Sequence, residues 1–173
     1  MQASRLANVT GALLVREENA SSRVAKGGAS VLRALFEETL ALGVEAEPGL
    51  VSRIVSPPAA PRSPLADLAA LLSATEAERV LVLWPGAAVP SEDLPLALTA
   101  WPERDGVWVE AEDDDAPSCA IFRREPALEA VRAALSEGGL DLSALEDRLD
   151  VEQATLAVLG LDAERAGGVG AGR

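Results

Sequence analysis

The chain contains no histidine and no tyrosine, one cysteine, two phenylalanines and three tryptophans in 173 residues. Without histidine, Ser-His-Asp and Cys-His catalysis and His-ligated metals are excluded. The single cysteine, Cys119, excludes an intramolecular disulfide and any CxxC chemistry. Its position before the apolar Ala120-Ile121-Phe122 marks a small core residue rather than a nucleophile. With 3% aromatics, leucine, valine and alanine must fill the core. Positive charge is also scarce: 15 Lys+Arg stand against 28 Asp+Glu, a net charge of −13. No basic cluster exists that could neutralise a phosphate backbone, so no nucleic-acid partner is expected. No apolar run reaches the roughly 18 residues of a membrane span. The apolar segment from Val9 to Val15 lacks the basic flank and small-residue cleavage site of a secretory signal. A soluble, cytoplasmic protein with no membrane contact is the expectation.

What remains is the chemistry of carboxylates, arginine, hydroxyls, backbone amides and one lysine, Lys26. Hydrophobic residues make up 49% and charged residues 25%, a globular composition of single-domain length. One domain over residues 1–166 and a flexible glycine-rich tail over 167–173 are expected. The run VTGALLV (Val9 to Val15) reads as a strand buried on both faces. A loop from Arg16 to Ala29 follows, then a helix capped by Ser30 with Val31, Leu32, Leu35, Phe36 and Leu40 on one face and Gly43 as its stop. Leu50 to Val55 suggests another strand. Four prolines between Ser56 and Pro64 demand an extended loop, and Ser63 with Pro64 opens a helix to Leu72. Arg79 to Trp84 is the clearest strand, and Ser91 caps a helix reaching about Trp101. Gly106 to Glu110 and Ser118 to Phe122 read as neighbouring strands across the acidic turn Glu112-Asp113-Asp114-Asp115. That turn has no EF-hand spacing and reads as solvated. Leu128, Val131 and Leu135 mark a helix ending at Gly138-Gly139, Leu142 to Leu149 a shorter one, and Val151 to Leu161 a segment that closes the sheet. Trp84, Trp101 and Trp108 read as packing residues. Strands alternating with helices point to an α/β sandwich with a mainly parallel sheet.

The order of these elements resembles the molybdenum-cofactor guanylyltransferases, the MobA-like branch of the Rossmann-like nucleotidyltransferases. Ser63-Pro64-Leu65-Ala66-Asp67-Leu68 is similar to the family's Gly-Pro-Leu-Ala-Gly-Leu segment. Arg79 to Leu83 (RVLVL) is similar to the strand leading into its metal-binding turn, and Val89 to Leu94 (VPSEDL) to the passage after it. Cys119 to Leu135 and Leu140 to Leu145 are similar to its later strand-then-helix and short-helix passages. The resemblance covers residues 9–160, with deletions between Leu42 and Pro64. It implies a three-layer sandwich of Rossmann-like nucleotidyltransferase (GT-A type) fold with a mainly parallel sheet. It implies a nucleotide or molybdopterin ligand, with Mg²⁺ and GTP where the family activity is kept. Arg23, Lys26, Pro64 and Leu65 are the nucleotide-binding positions it implies.

The motifs that perform the family's chemistry are altered. The family's Leu-Ala-Gly-Gly lets backbone amides approach triphosphate oxygens, while a following Arg and Lys neutralise them. Here Leu14-Val15 runs into Arg16-Glu17-Glu18, and Ser21-Ser22-Arg23 stands for the Ser-x-Arg part. Lys26 lies three residues after Arg23 and is either a phosphate ligand or a solvated loop lysine. At the family's Mg²⁺-holding Asp this chain has Gly86, which offers no oxygen to a hard cation. Glu92 and Asp93 nearby read as first-turn helix acids. The expectation is a degenerate nucleotidyltransferase, weak or inactive, with residual nucleotide binding or an interaction role. An active guanylyltransferase and an unrelated α/β interaction protein stay open as alternatives.

Overall fold

A computed structural model describes residues 6–15, 23–42, 49, 51–59, 62–84, 91–101, 104–109 and 118–162. Arg16, Glu17, Glu18, Ser21, Ser22, Gly43, Gly86, Val89, the acidic run 110–115 and the tail 167–173 lie outside them. Among the described residues, seven strands and four α-helices follow in the order β1 (Val9–Leu14), α1 (Arg23–Leu35), β2 (Thr39–Leu42), β3 (Arg53–Val55), α2 (Pro64–Ser73), β4 (Arg79–Trp84), α3 (Asp93–Thr99), β5 (Gly106–Val109), β6 (Ser118–Arg123), α4 (Arg124–Ser136) and β7 (Val151–Ala154). A 3-10 turn at Leu142–Leu145 precedes β7.

The strands form one sheet in the order β3-β2-β1-β4-β6-β5-β7. Neighbours are parallel except where β6 meets β4 and β5, so β6 alone runs backwards. The two strands expected at the centre pair with each other in parallel, Val9 opposite Arg79 and Leu13 opposite Leu83. The period of two along each strand decides what each layer buries. Ala12, Leu14, Val80 and Val82 face α2 and α4, while Val9, Leu13, Leu81 and Leu83 face α1 and α3. Helices on both faces of a mostly parallel sheet make the expected three-layer α/β sandwich.

Four local readings are corrected. The first helix is Arg23–Leu35, so Ser30 is an interior residue, Lys26 is helical rather than in a loop, and Leu40 belongs to β2. The helix's buried side in its first half is Ala25, Gly28 and Ala29, small residues that give little hydrophobic signal. Thr39–Leu42 is buried at every position, which an edge of an amphipathic helix would not be. Ser91 lies outside α3, whose N-cap is Glu92 with no side-chain cap bond. The segment expected as a second short helix yields only the 3-10 turn, and the closing strand ends at Ala154 before turning back over the core. By contrast, α2 starts as its sequence dictates. Ser63 is extended (φ −148°) and its Oγ accepts from the Ala66 N–H at 3.1 Å, with Pro64 at the first helical position. Gly138 (φ +85°) ends α4, where its N–H reaches the Leu135 carbonyl and Gly139 N–H the Ala134 carbonyl.

The amino ends of β1, β2 and β4 are tied by one polar knot. Glu38 Oε2 accepts from Thr10 Oγ1 at 2.5 Å and from Thr75 Oγ1, while Arg53 Nη2 lies 3.1 Å from Glu38 Oε1. Burial pushes the Glu38 carboxyl up, but the two hydroxyls and the Arg53 guanidinium outweigh it and hold it below its usual 4.5. A carboxylate with a depressed folded-state pKa stabilises the fold above its ordinary pKa, and that contribution is lost as pH falls through the folded value. Urea midpoints followed from pH 6 to pH 3 are therefore expected to fall, and Glu38→Gln to flatten part of that fall. Equal slopes in both proteins would show that the knot carries no such linkage.

Candidate functional site

In an open α/β sheet, ligands sit outside the carboxyl ends of the strands where the strand order reverses. Here the chain leaves β1 for β2 on one side, while β4 lies against β1 on the other. By that rule the carboxyl ends of β1 and β4, at Leu14-Val15 and Trp84, mark where a ligand crevice is expected.

On one face of this edge, α1 begins with Arg23 and places Lys26 in its first turn, both exposed, and that turn contains no acidic residue. Cations at a helix N-terminus add to the positive end of the helix dipole, and together the two favour an anion there. Two of the four expected binding residues are therefore brought together. The other two open α2 on the opposite face, where Pro64 is exposed and Leu65 is fully buried in the core. The Leu65 N–H donates to the Leu140 carbonyl at 3.3 Å, and the Asp67 N–H to the Ser63 carbonyl at 2.9 Å. With Ala66 bound to the cap and Pro64 lacking an N–H, the first turn of α2 presents no free amide to a phosphate. Asp67 in that turn is itself buried and pairs with Arg62 at 3.3 Å.

Among the described residues, no three Asp, Glu or Cys side chains gather where a metal ion could be held. Glu92 and Asp93 belong to the start of α3, and Cys119 is fully buried with its thiol pKa pushed up by desolvation.

Two features escaped the sequence reading. A cavity of about 680 Å³ opens at the amino edge, lined among others by Asn8, Glu38, Arg53, Thr75 and Glu78. Its central carboxylate is already bonded to Thr10, Thr75 and Arg53, which makes it a structural knot. No sequence signal marked Glu38, because the segment around it reads as helix. The second feature is the half-exposed ring of Trp84 at the crevice.

No family model matches the chain, and no curated protein is similar to it in sequence. Solved structures are similar in fold. Aq1419 from Aquifex aeolicus superposes with a TM-score of 0.69 at 13% identity, over 88% of this chain and 91% of that one. The 2-C-methyl-D-erythritol 4-phosphate cytidylyltransferase from Thermus thermophilus gives 0.63 at 17% identity, over 90% and 89%. A protein named as a nucleotide-diphospho-sugar transferase from Desulfovibrio desulfuricans gives 0.53 at 13%, over 87% and 80%. The chain has the Rossmann-like fold of the nucleotidyltransferases. Within that nucleotidyltransferase fold, Arg23 and Lys26 stand at the switch point of the sheet. No helix among the described residues is long and apolar enough to cross a membrane.

Proposed function

We propose that this chain binds a nucleotide at the carboxyl ends of β1 and β4 and has lost most of the transfer activity of the MobA-like guanylyltransferases it resembles. One observation carries the reading: a first helical turn at the sheet's switch point presents Arg23 and Lys26 and contains no acid of its own. The two side chains and the turn's dipole meet the phosphates, and Pro64 lies at the same edge across the sheet. Molybdopterin is the second ligand this reading admits, and nucleic acid is not one, given the charge of −13.

Calorimetric titration with GTP, with and without Mg²⁺, tests the reading. Binding is expected in both conditions. Arg23→Ala and Lys26→Ala are each expected to weaken it about tenfold, the scale of one hydrogen bond to a charged group. No heat at millimolar GTP, or unchanged affinity in both variants, would overturn the proposal. A steep gain with Mg²⁺ would favour the active guanylyltransferase.

A further inference from the structure

The chain's five aromatic residues are distributed unevenly about the crevice. Phe36, Phe122 and Trp108 are buried, and Trp101, past the end of α3, donates from Nε1 to Glu152 at 3.3 Å. Trp84 differs from all of them. It is the last residue of β4, in register with Ser118 of β6, at the carboxyl edge. Its side chain packs against the core of the α2–α4 face yet stays half-exposed.

The cations of α1 stand on the other face, beyond the adjacent strand β1. The crevice is therefore two-ended. One end carries the positive charge of Arg23 and Lys26, the other an indole surface. Indole stacks on any planar heteroaromatic ring, whatever its hydrogen-bonding edge, because each such ring has a π-face. Resting on the nucleotide reading above, we infer that Trp84 is the stacking surface for the ring of the ligand whose phosphates meet Arg23 and Lys26. Because stacking ignores the ring edge, this contact discriminates little between bases, and the pterin of a molybdopterin fits the same chemistry as a nucleobase.

The test compares GTP, inorganic triphosphate and a phosphate-free pterin on the full chain, by calorimetry and tryptophan fluorescence. Trp84→Leu is expected to weaken GTP about tenfold, the scale of losing one base–aromatic stack, and to leave triphosphate unchanged. Trp84→Phe is expected to hold GTP within about threefold, since a ring remains, while the fluorescence quench on GTP addition disappears. Trp101→Phe should change neither affinity. Pterin binding that GTP displaces and Trp84→Leu abolishes would extend the surface to the pterin. Pterin binding indifferent to Trp84, with GTP weakened as expected, would assign the surface to the nucleobase. Wild-type affinity for GTP in Trp84→Leu, an equal loss for triphosphate, or a quench that persists in Trp84→Phe would overturn the inference. Triphosphate binding by the wild type in those cases leaves the phosphate site standing; no triphosphate or GTP binding by the wild type would overturn both.

Discussion

Pyrophosphate release from GTP, in the presence of molybdopterin and Mg²⁺, is expected to run about four decades or more below that of a MobA-like protein with both motifs intact. The α-phosphate of GTP and the attacking phosphate are both negative, and their approach needs cations or oriented donors. Removing one such stabiliser costs about 3–4 kcal/mol. On the proposed reading, Gly86 stands at the resembled family's metal-holding Asp, and Arg16-Glu17 at its amide-presenting glycines. Losses at separate sites add, and each 1.36 kcal/mol is about one decade of rate. Arg16 supplies a positive charge, but beside Glu17 and Glu18. Gly86→Asp combined with restoration of the glycine pair is expected to recover part of the rate. A family-typical rate in the unmodified chain would overturn the assignment of Gly86 to the metal position.

The largest effect on stability is expected at Phe36. This ring is 1% exposed, and it lies against the backbone of Gly11 in the central strand β1. A Cβ at residue 11 would come within 2.5 Å of Phe36 Cδ2 and 3.2 Å of Leu32 Cδ2. Phe36→Ala leaves a cavity between α1 and the sheet and is expected to cost about 3–5 kcal/mol. At about 2–4 °C per kcal/mol for a chain of this size, thermal unfolding should drop by at least roughly 6 °C. Gly11→Ala, which overpacks the same spot, is expected to cost about 1–3 kcal/mol. The pair is coupled, so Gly11→Ala with Phe36→Leu should cost less than the two single changes summed. Thermal unfolding of the four proteins closes that cycle. Strict additivity would show that residue 11 and the ring do not compete for one space.

Of the four residues expected to bind nucleotide, two share one helical turn in the fold. Arg23 and Lys26 were singled out by a resemblance, and the structure places both on one helical turn at the switch point. Leu65 was singled out in the same way, but its side chain fills the core and its N–H serves the Leu140 carbonyl. A sequence records the residue type and not which way a helix turns it. Glu38 was invisible for the same reason. Its partners Thr10, Thr75 and Arg53 are 28, 37 and 15 residues away along the chain.

The strands β1 and β4, the start of α2 at Ser63-Pro64 and the end of α4 at Gly138 followed from the sequence itself. Each is set by local physics: a short, nearly continuous apolar run, a hydroxyl that caps a free amide, and a glycine free to take positive φ. The exclusion of histidine and disulfide chemistry needed nothing more than composition. The tertiary structure decided the rest. Helix α1 buries Ala25, Gly28 and Ala29 against the sheet, and no local periodicity announces such small residues. Thr39–Leu42 became a strand because β1 and β3 flank it with hydrogen-bonding edges. Trp84 stands at the mouth of the crevice because β4 ends beside β1 and β6, a pairing of segments about 70 and 40 residues apart that only the assembled sheet creates.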